Sequence, residues 1–188
     1  MNESITQEDD LILQSYYMVV LLKELGSNNF FGSDYFTGMN FDSLPVKEGL
    51  RQVGIDNQGS ALMALYAMLV IPKELIHEKY PNEYENINSF LRRYTVNTRT
   101  SYRDENAKAV STIEFINHIR NAVVHARVGF IPHETIAFKD VRFTDGSKTN
   151  IKAEFTTELP LCKLGDFLNE LQKVQLKYIE DRRSSSKE

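Results

Sequence analysis

Arg120, Asn121 and His125 fall within the six residues Arg-Asn-Ala-Val-Val-His, and their side chains suit work on a phosphodiester. A guanidinium offers a fixed fork of donors to phosphate oxygens. An imidazole gives and takes a proton near neutral pH. A carboxamide between them can orient either one. An Arg and a His five residues apart also occur as an ordinary surface residue and a helix-end residue, so the spacing alone leaves both readings open.

The element that must position these groups is Ala107 to Arg127, which reads as one helix. At about 100° per residue, Phe115, Ile116, Ile119, Ala122, Val123 and Ala126 share a broad apolar arc made for burial. Glu114, His118, Asn121 and His125 form a second stripe within roughly 60° of one another. Arg120 stands at the border of the apolar arc, about 140° from His125. Arg, Asn and His are therefore strung around one flank, with Val124 and Ile113 between them. Glu114, His118 and His125 on their shared stripe would also allow a metal hydrolase. No H-E-x-x-H or Asp-rich motif supports that reading, so no metal and no cofactor is expected.

A chain of 188 residues with 41% apolar content can bury one real core, which predicts a single domain over 1–188. A lone cysteine, Cys162, excludes an internal disulfide and fits a reducing compartment. The opening MNESITQEDD lacks the pattern of a signal peptide, and the longest apolar run, Ala61 to Pro72, is short for a bilayer. A cytoplasmic protein without a membrane partner is the expectation. The net charge of −4 argues at first against nucleic acid. Its distribution softens this, because residues 92–127 hold seven Lys and Arg against three Asp and Glu. Arg99 and Arg103 lie in that basic segment with Tyr94 and Tyr102 among the cations, the mixture a single-stranded nucleic-acid groove uses. A merely solvated loop fits the same residues.

Along the chain, Thr6 with Asp9 resembles a capping box, and Leu11, Tyr16, Met18, Val19, Leu22 and Leu25 predict a core helix over about 7–25. Residues 26–59 carry six of the nine glycines with Phe30, Phe31, Tyr35, Phe36 and Phe41 among them, and read as a long loop insertion folding back as a lid. A short helix from Pro45 to Val53 interrupts it. Ser60 to Tyr80 predicts a central buried helix or subunit interface, kinked at Pro72. A helix capped by Asn82 and ending near Arg93 follows, then a polar loop over Thr95 to Asp104. After His125 the period drops to two: Val128 to Ile131 is extended, and Thr135 to Phe143 and Lys148 to Thr156 flank the turn signal Asp145-Gly146. A bulge is expected near Asp140. Pro160 opens a last helix with an apolar stripe from Leu161 to Tyr178, and 182–188 reads as a disordered tail.

The sequence Arg120 to His125 resembles the R-x4-H signature of the HEPN superfamily, including the polar residue after the Arg. Its context, late in a helical series and ahead of strands bearing the F-x-D element Phe138-Lys139-Asp140, is most similar to a plasmid-encoded bacterial HEPN branch. The resemblance covers roughly residues 60–180. It implies a mainly α fold, an up-and-down helical bundle with a β-hairpin inserted before the last helix. It further implies a metal-independent endoribonuclease whose site forms across a homodimer, in a toxin–antitoxin or phage-defence setting with an antitoxin protein as a further partner, acting on RNA and not DNA. On this pattern Arg120, Asn121 and His125 are catalytic; Arg127, Arg103 and Arg99, from the basic segment, are the expected phosphate contacts. The dimer would close over apolar residues such as Val124 and Ile113. Branches paired with a nucleotidyltransferase antitoxin carry Tyr two residues after the His, where this chain has Arg127. Two other readings stand beside the nuclease: a catalytically inactive HEPN dimer that binds RNA or a protein partner, and a structural protein that meets its partners through the aromatic loop.

Overall fold

The computed structural model describes residues 6–102, 113–131, 134–144 and 149–185. Helix α1 (Gln7–Ser27) starts on the expected capping box, with the Thr6 hydroxyl accepting from the Asp9 N–H and the Asp9 carboxylate accepting from the Thr6 N–H. It is not the core helix that its periodicity predicts. Ile12 is its one fully buried apolar residue, while Leu11, Met18 and Leu21 face outward. What pins α1 is the buried Asp9, which also accepts from Tyr178 Oη and pairs with Arg182 at 2.7 Å.

The stretch read as a long loop holds more structure than that. A 3-10 turn (Phe30–Gly32), α2 (Asp34–Gly38) and α3 (Leu44–Val53) follow one another. Phe30, Phe31, Phe36 and Phe41 meet edge to face in a satellite cluster near the end of α1, outside the main core. Gly54, at φ 67° and ψ −169°, takes a positive-φ conformation open essentially to glycine and stops α3.

The central helix is continuous from α4 (Gln58–Leu65) through a π turn (Tyr66–Val70) into α5 (Ile71–Ile76), closed by a 3-10 turn (His77–Lys79). The widened turn, in which the Ile71 N–H reaches Tyr66 O, absorbs the missing donor of Pro72. By length and composition Gln58–Lys79 is apolar enough to cross a membrane. Leu65, Met68, Leu69 and Val70 are nevertheless buried in the main core, with Met63 and Tyr66 facing outward.

Helix α6 (Pro81–Tyr94) buries Tyr84, Ile87 and Leu91 and leads into β1 (Val96–Thr100), where the sequence reads as loop. The correction has a physical basis, since VNTRT carries no apolar alternation and is a strand only because β4 lies beside it. The site helix, α7 (Phe115–Val124), is followed by β2 (Val128–Ile131), β3 (Thr135–Phe143), β4 (Ile151–Pro160) and α8 (Leu164–Ser185). The sheet is antiparallel in the order β1-β4-β3-β2, so the expected hairpin is the middle of four strands. The turn Asp145-Gly146 itself, Arg103 and the stretch 107–112 of the expected central helix lie outside the described residues.

Ile136, Phe138 and Asp140 of β3, with Phe155 and Leu159 of β4, form the inner face covered by the helices. The β3 register runs unbroken through Asp140, and its irregularity falls between Arg142 and Phe143. Phe167, Leu171, Val174 and Tyr178 of α8 close the core. That helix continues through Arg182, which binds Asp9, where the sequence reads as a disordered tail. The chain is mainly α, with one four-stranded sheet.

Candidate active site

Helix α6 fixes the start of α7 from two sides. The buried Asn88 Oδ1 accepts from the Ile116 N–H at 3.0 Å, and Arg92 Nε and Nη2 donate to Ile113 O at 3.3 and 3.2 Å. Phe115, Ile116, Ile119, Ala122 and Val123 are buried, so the apolar arc lies where its spacing puts it as far as Val123; Ala126, also expected on it, is exposed beyond the helix end, because the chain leaves the helical path there. Ile113 is 3% exposed and belongs to this core, which removes it from the apolar contact surface expected between two copies. Val124, at 36% exposure, remains on the surface.

The other end of α7 closes in a Schellman cap. The Ala126 N–H reaches Val123 O at 3.1 Å and the Arg127 N–H reaches Ala122 O at 2.8 Å. Ala126 therefore sits at φ 51°, a left-handed position usually given to glycine. The cap residue is His125, exposed at the very end of the helix, with no side-chain hydrogen bond to the described residues.

Of the polar stripe on α7, His118 and Asn121 face β3. Asp140 Oδ2 lies 2.7 Å from His118 Nδ1, 3.1 Å from Tyr102 Oη and 3.2 Å from Asn121 Nδ2. Burial works against the charge on Asp140, but the hydrogen bonds from His118, Asn121 and Tyr102 outweigh it and hold the carboxyl below its ordinary range. A carboxylate accepts only, so all three neighbours donate, and His118 carries its proton on Nδ1. The His118 ring also stacks on Phe155 at 4.2 Å.

With its amide nitrogen on Asp140, Asn121 turns its Oδ1 to Arg120 Nη1 at 2.9 Å. A chain of hydrogen bonds thus runs from the sheet through Asn121 to the guanidinium. Arg120 Nη2 meets Glu74 of α5, and its Nε is buried without a partner among the described residues. Lys73 flanks the pair. Burial, helped by Arg120, pulls its ammonium below the ordinary lysine value against the opposing pull of Glu114 and Glu74.

Spacing points to Arg120, Asn121 and His125; the structure joins Arg120 to Asn121 by a hydrogen bond and leaves His125 exposed at the C-cap of α7. Spacing does not reveal Glu74 or the structural part of His118, which on spacing stands only as a metal-ligand candidate. His118 is buried against Asp140, whereas Glu114 and His125 are exposed at opposite ends of α7, so that set is not assembled. Arg127 and Arg99 do not join Arg120 either. Arg127 Nη1 donates to Val141 O at 3.2 Å and its guanidinium lies 5.2 Å from the Phe143 ring, while Arg99 is exposed on β1. The one available signal for Asp140 was its place in Phe138-Lys139-Asp140, an acidic residue in the inward register of a strand.

No curated protein and no solved structure matches the chain. The model of one protein family, described as HEPN pEK499 p136, matches residues 5–182, extending the likeness of the R-x4-H region to the N-terminal helix. With that match over nearly its whole length, the chain belongs to the HEPN pEK499 p136 family.

Proposed function

We propose that the protein is a metal-independent endoribonuclease of the HEPN type, working as a homodimer in a toxin–antitoxin or phage-defence setting inside the cytoplasm. His125 takes the proton of an RNA 2'-hydroxyl, whose oxygen attacks the adjacent phosphorus. The bond from phosphorus to the 5'-oxygen breaks, and the leaving oxygen is protonated by His125 of the partner subunit. Arg120 binds the phosphate and the charge that gathers on it, and Asn121 aims Arg120. The products are a 2',3'-cyclic phosphate and a 5'-hydroxyl.

The observation that carries this reading is the hydrogen-bonded chain Asp140, Asn121, Arg120, which presets a guanidinium on the helix that ends at the exposed His125. Presetting of this kind lets charge stabilisation act without reorganisation. General acid–base catalysis contributes about 10²- to 10⁴-fold, and one preorganised charge-stabilising group about 10²- to 10³-fold. A slow nuclease results, which suits a toxin better than a digestive enzyme.

One observation favours a second reading, a HEPN dimer that binds RNA without cutting it. Glu74 occupies a donor of Arg120 that a phosphate would need. The deciding experiment is incubation of purified protein with end-labelled single-stranded RNA, and with DNA of matching sequence, in EDTA, beside His125→Ala. Cleavage of RNA alone, lost in the variant and ending in 2',3'-cyclic phosphate, supports the nuclease. Absence of cleavage with RNA retained on the protein moves the reading to the binding dimer.

A further inference from the structure

The outer face of the sheet carries a feature that the catalytic flank does not use. Arg99 pairs with Thr156 across β1 and β4, and Lys139 pairs with Thr156 across β4 and β3. The Lys139 N–H reaches Arg127 O at 3.0 Å at the start of β2. Directly opposed residues of antiparallel strands point to the same side. Arg127, Lys139, Thr156 and Arg99 therefore form one row across all four strands, on the face away from Phe138 and Phe155. With strands about 4.8 Å apart, the row is about 14 Å long.

Beside the row runs a shallow groove of about 530 Å³. Its floor is built from the small residues Gly129 and Ala137, so a chain can lie close to the sheet. A Cβ added at Gly129 would meet nothing within 4 Å. Ala126 lines the groove, which brings it to the residue next to His125. Two carboxylates face the same surface. Glu154 pairs with Lys139 at 2.7 Å, and Glu158 accepts from Asn97 and Thr135. Three cations against two anions, in a chain whose net charge is −4, make this row a local positive exception.

We infer that this groove is the path by which a single RNA strand reaches His125, with Arg99, Lys139 and Arg127 meeting successive phosphates. The inference rests on the proposed reading for the identity of the strand, but binding along the sheet is separable from cleavage. Charge complementarity decides for a polyanion, and the narrow floor of small residues fits a strand rather than a duplex.

The test uses fluorescence anisotropy with a labelled single-stranded RNA of about twenty nucleotides, long enough to exceed one binding site, titrated with the full chain in a His125→Ala background over a salt series. Each phosphate neutralised on a single strand adds about −0.7 to the slope of log K against log salt. Arg99→Ala with Lys139→Ala should therefore flatten the slope by about 1.4 and weaken binding several-fold at low salt. Gly129→Leu fills the floor and should weaken binding with the slope unchanged. Unchanged affinity and slope in both variants, with circular dichroism showing them folded, overturns the path and leaves the catalytic reading untouched. A background protein that binds no RNA overturns both. Flattening of the slope in a chain that never cleaves RNA upholds the path and removes the nuclease.

Discussion

Asn121 donates its amide N–H to Asp140 at 3.2 Å and accepts from Arg120 Nη1 on its Oδ1 at 2.9 Å, so a buried strand carboxylate sets the direction of an arginine that it never touches. Asp140→Asn keeps the shape but replaces an acceptor for three donors by a group that must itself donate. We expect a loss of about 1 to 3 kcal/mol in stability. A misplaced guanidinium should cost up to about 10²-fold in kcat. Denaturant melts beside single-turnover cleavage check both. Full kcat in a folded Asp140→Asn variant would remove the positioning role.

Glu74 holds Arg120 Nη2 from a half-exposed position on α5. An exposed pair of this kind contributes little to stability, on the order of 0 to 1 kcal/mol. Its carboxylate repels any phosphate approaching the guanidinium. Glu74→Gln should leave the melting temperature nearly unchanged and lower KM for RNA. The measurement is steady-state cleavage or, for a binding dimer, affinity; a weaker KM would show that Glu74 helps to hold Arg120 in place.

Acid should unfold this protein partly through Asp9 and Asp140. Burial opposes the charge on Asp9, but the Thr6 backbone and hydroxyl and Arg182 outweigh it and hold the carboxyl below its ordinary 3.8. A depressed carboxyl contributes stability that is complete above the unfolded value and is lost as pH falls through the folded one. The same sign applies to Asp140. Stability against pH should therefore be flat above about 5 and decline below about 4, with a shallower decline in Asp9→Asn. Parallel acid limbs in the two proteins would place the titration elsewhere.

Ile119 is fully buried on the arc opposite the polar stripe. Ile119→Ala should cost about 2 to 5 kcal/mol, the range for large-to-small changes in a core. A chemical-denaturation midpoint close to that of the parent would show that the site helix is not seated as described.

Local rules made much of this protein legible. The α7 arc from Phe115 to Val123 follows from spacing alone, and so does the Thr6–Asp9 box, because both depend on neighbours three or four residues away. The strand Thr135–Phe143 was readable from its alternation once the break near Asp140 is seen as a charge turned inward. The Arg120–Asn121 adjacency and the place of His125 at the helix end follow from the same short-range geometry.

What spacing could not supply is every contact made across the fold. Val96–Thr100 became a strand because β4 offered its edge, and α1 keeps Leu11 and Met18 outside while the buried Asp9 ties it to α8. Nothing local ties Asn121 to Asp140 nineteen residues away, or Arg120 to Glu74 forty-six away. The sequence by itself determined which side chains could act on a phosphodiester and which helix carries them. Only the tertiary structure decided which partners hold them, because hydrogen bonds and charges act over a few ångströms and the chain brings such distant residues that close only when it folds.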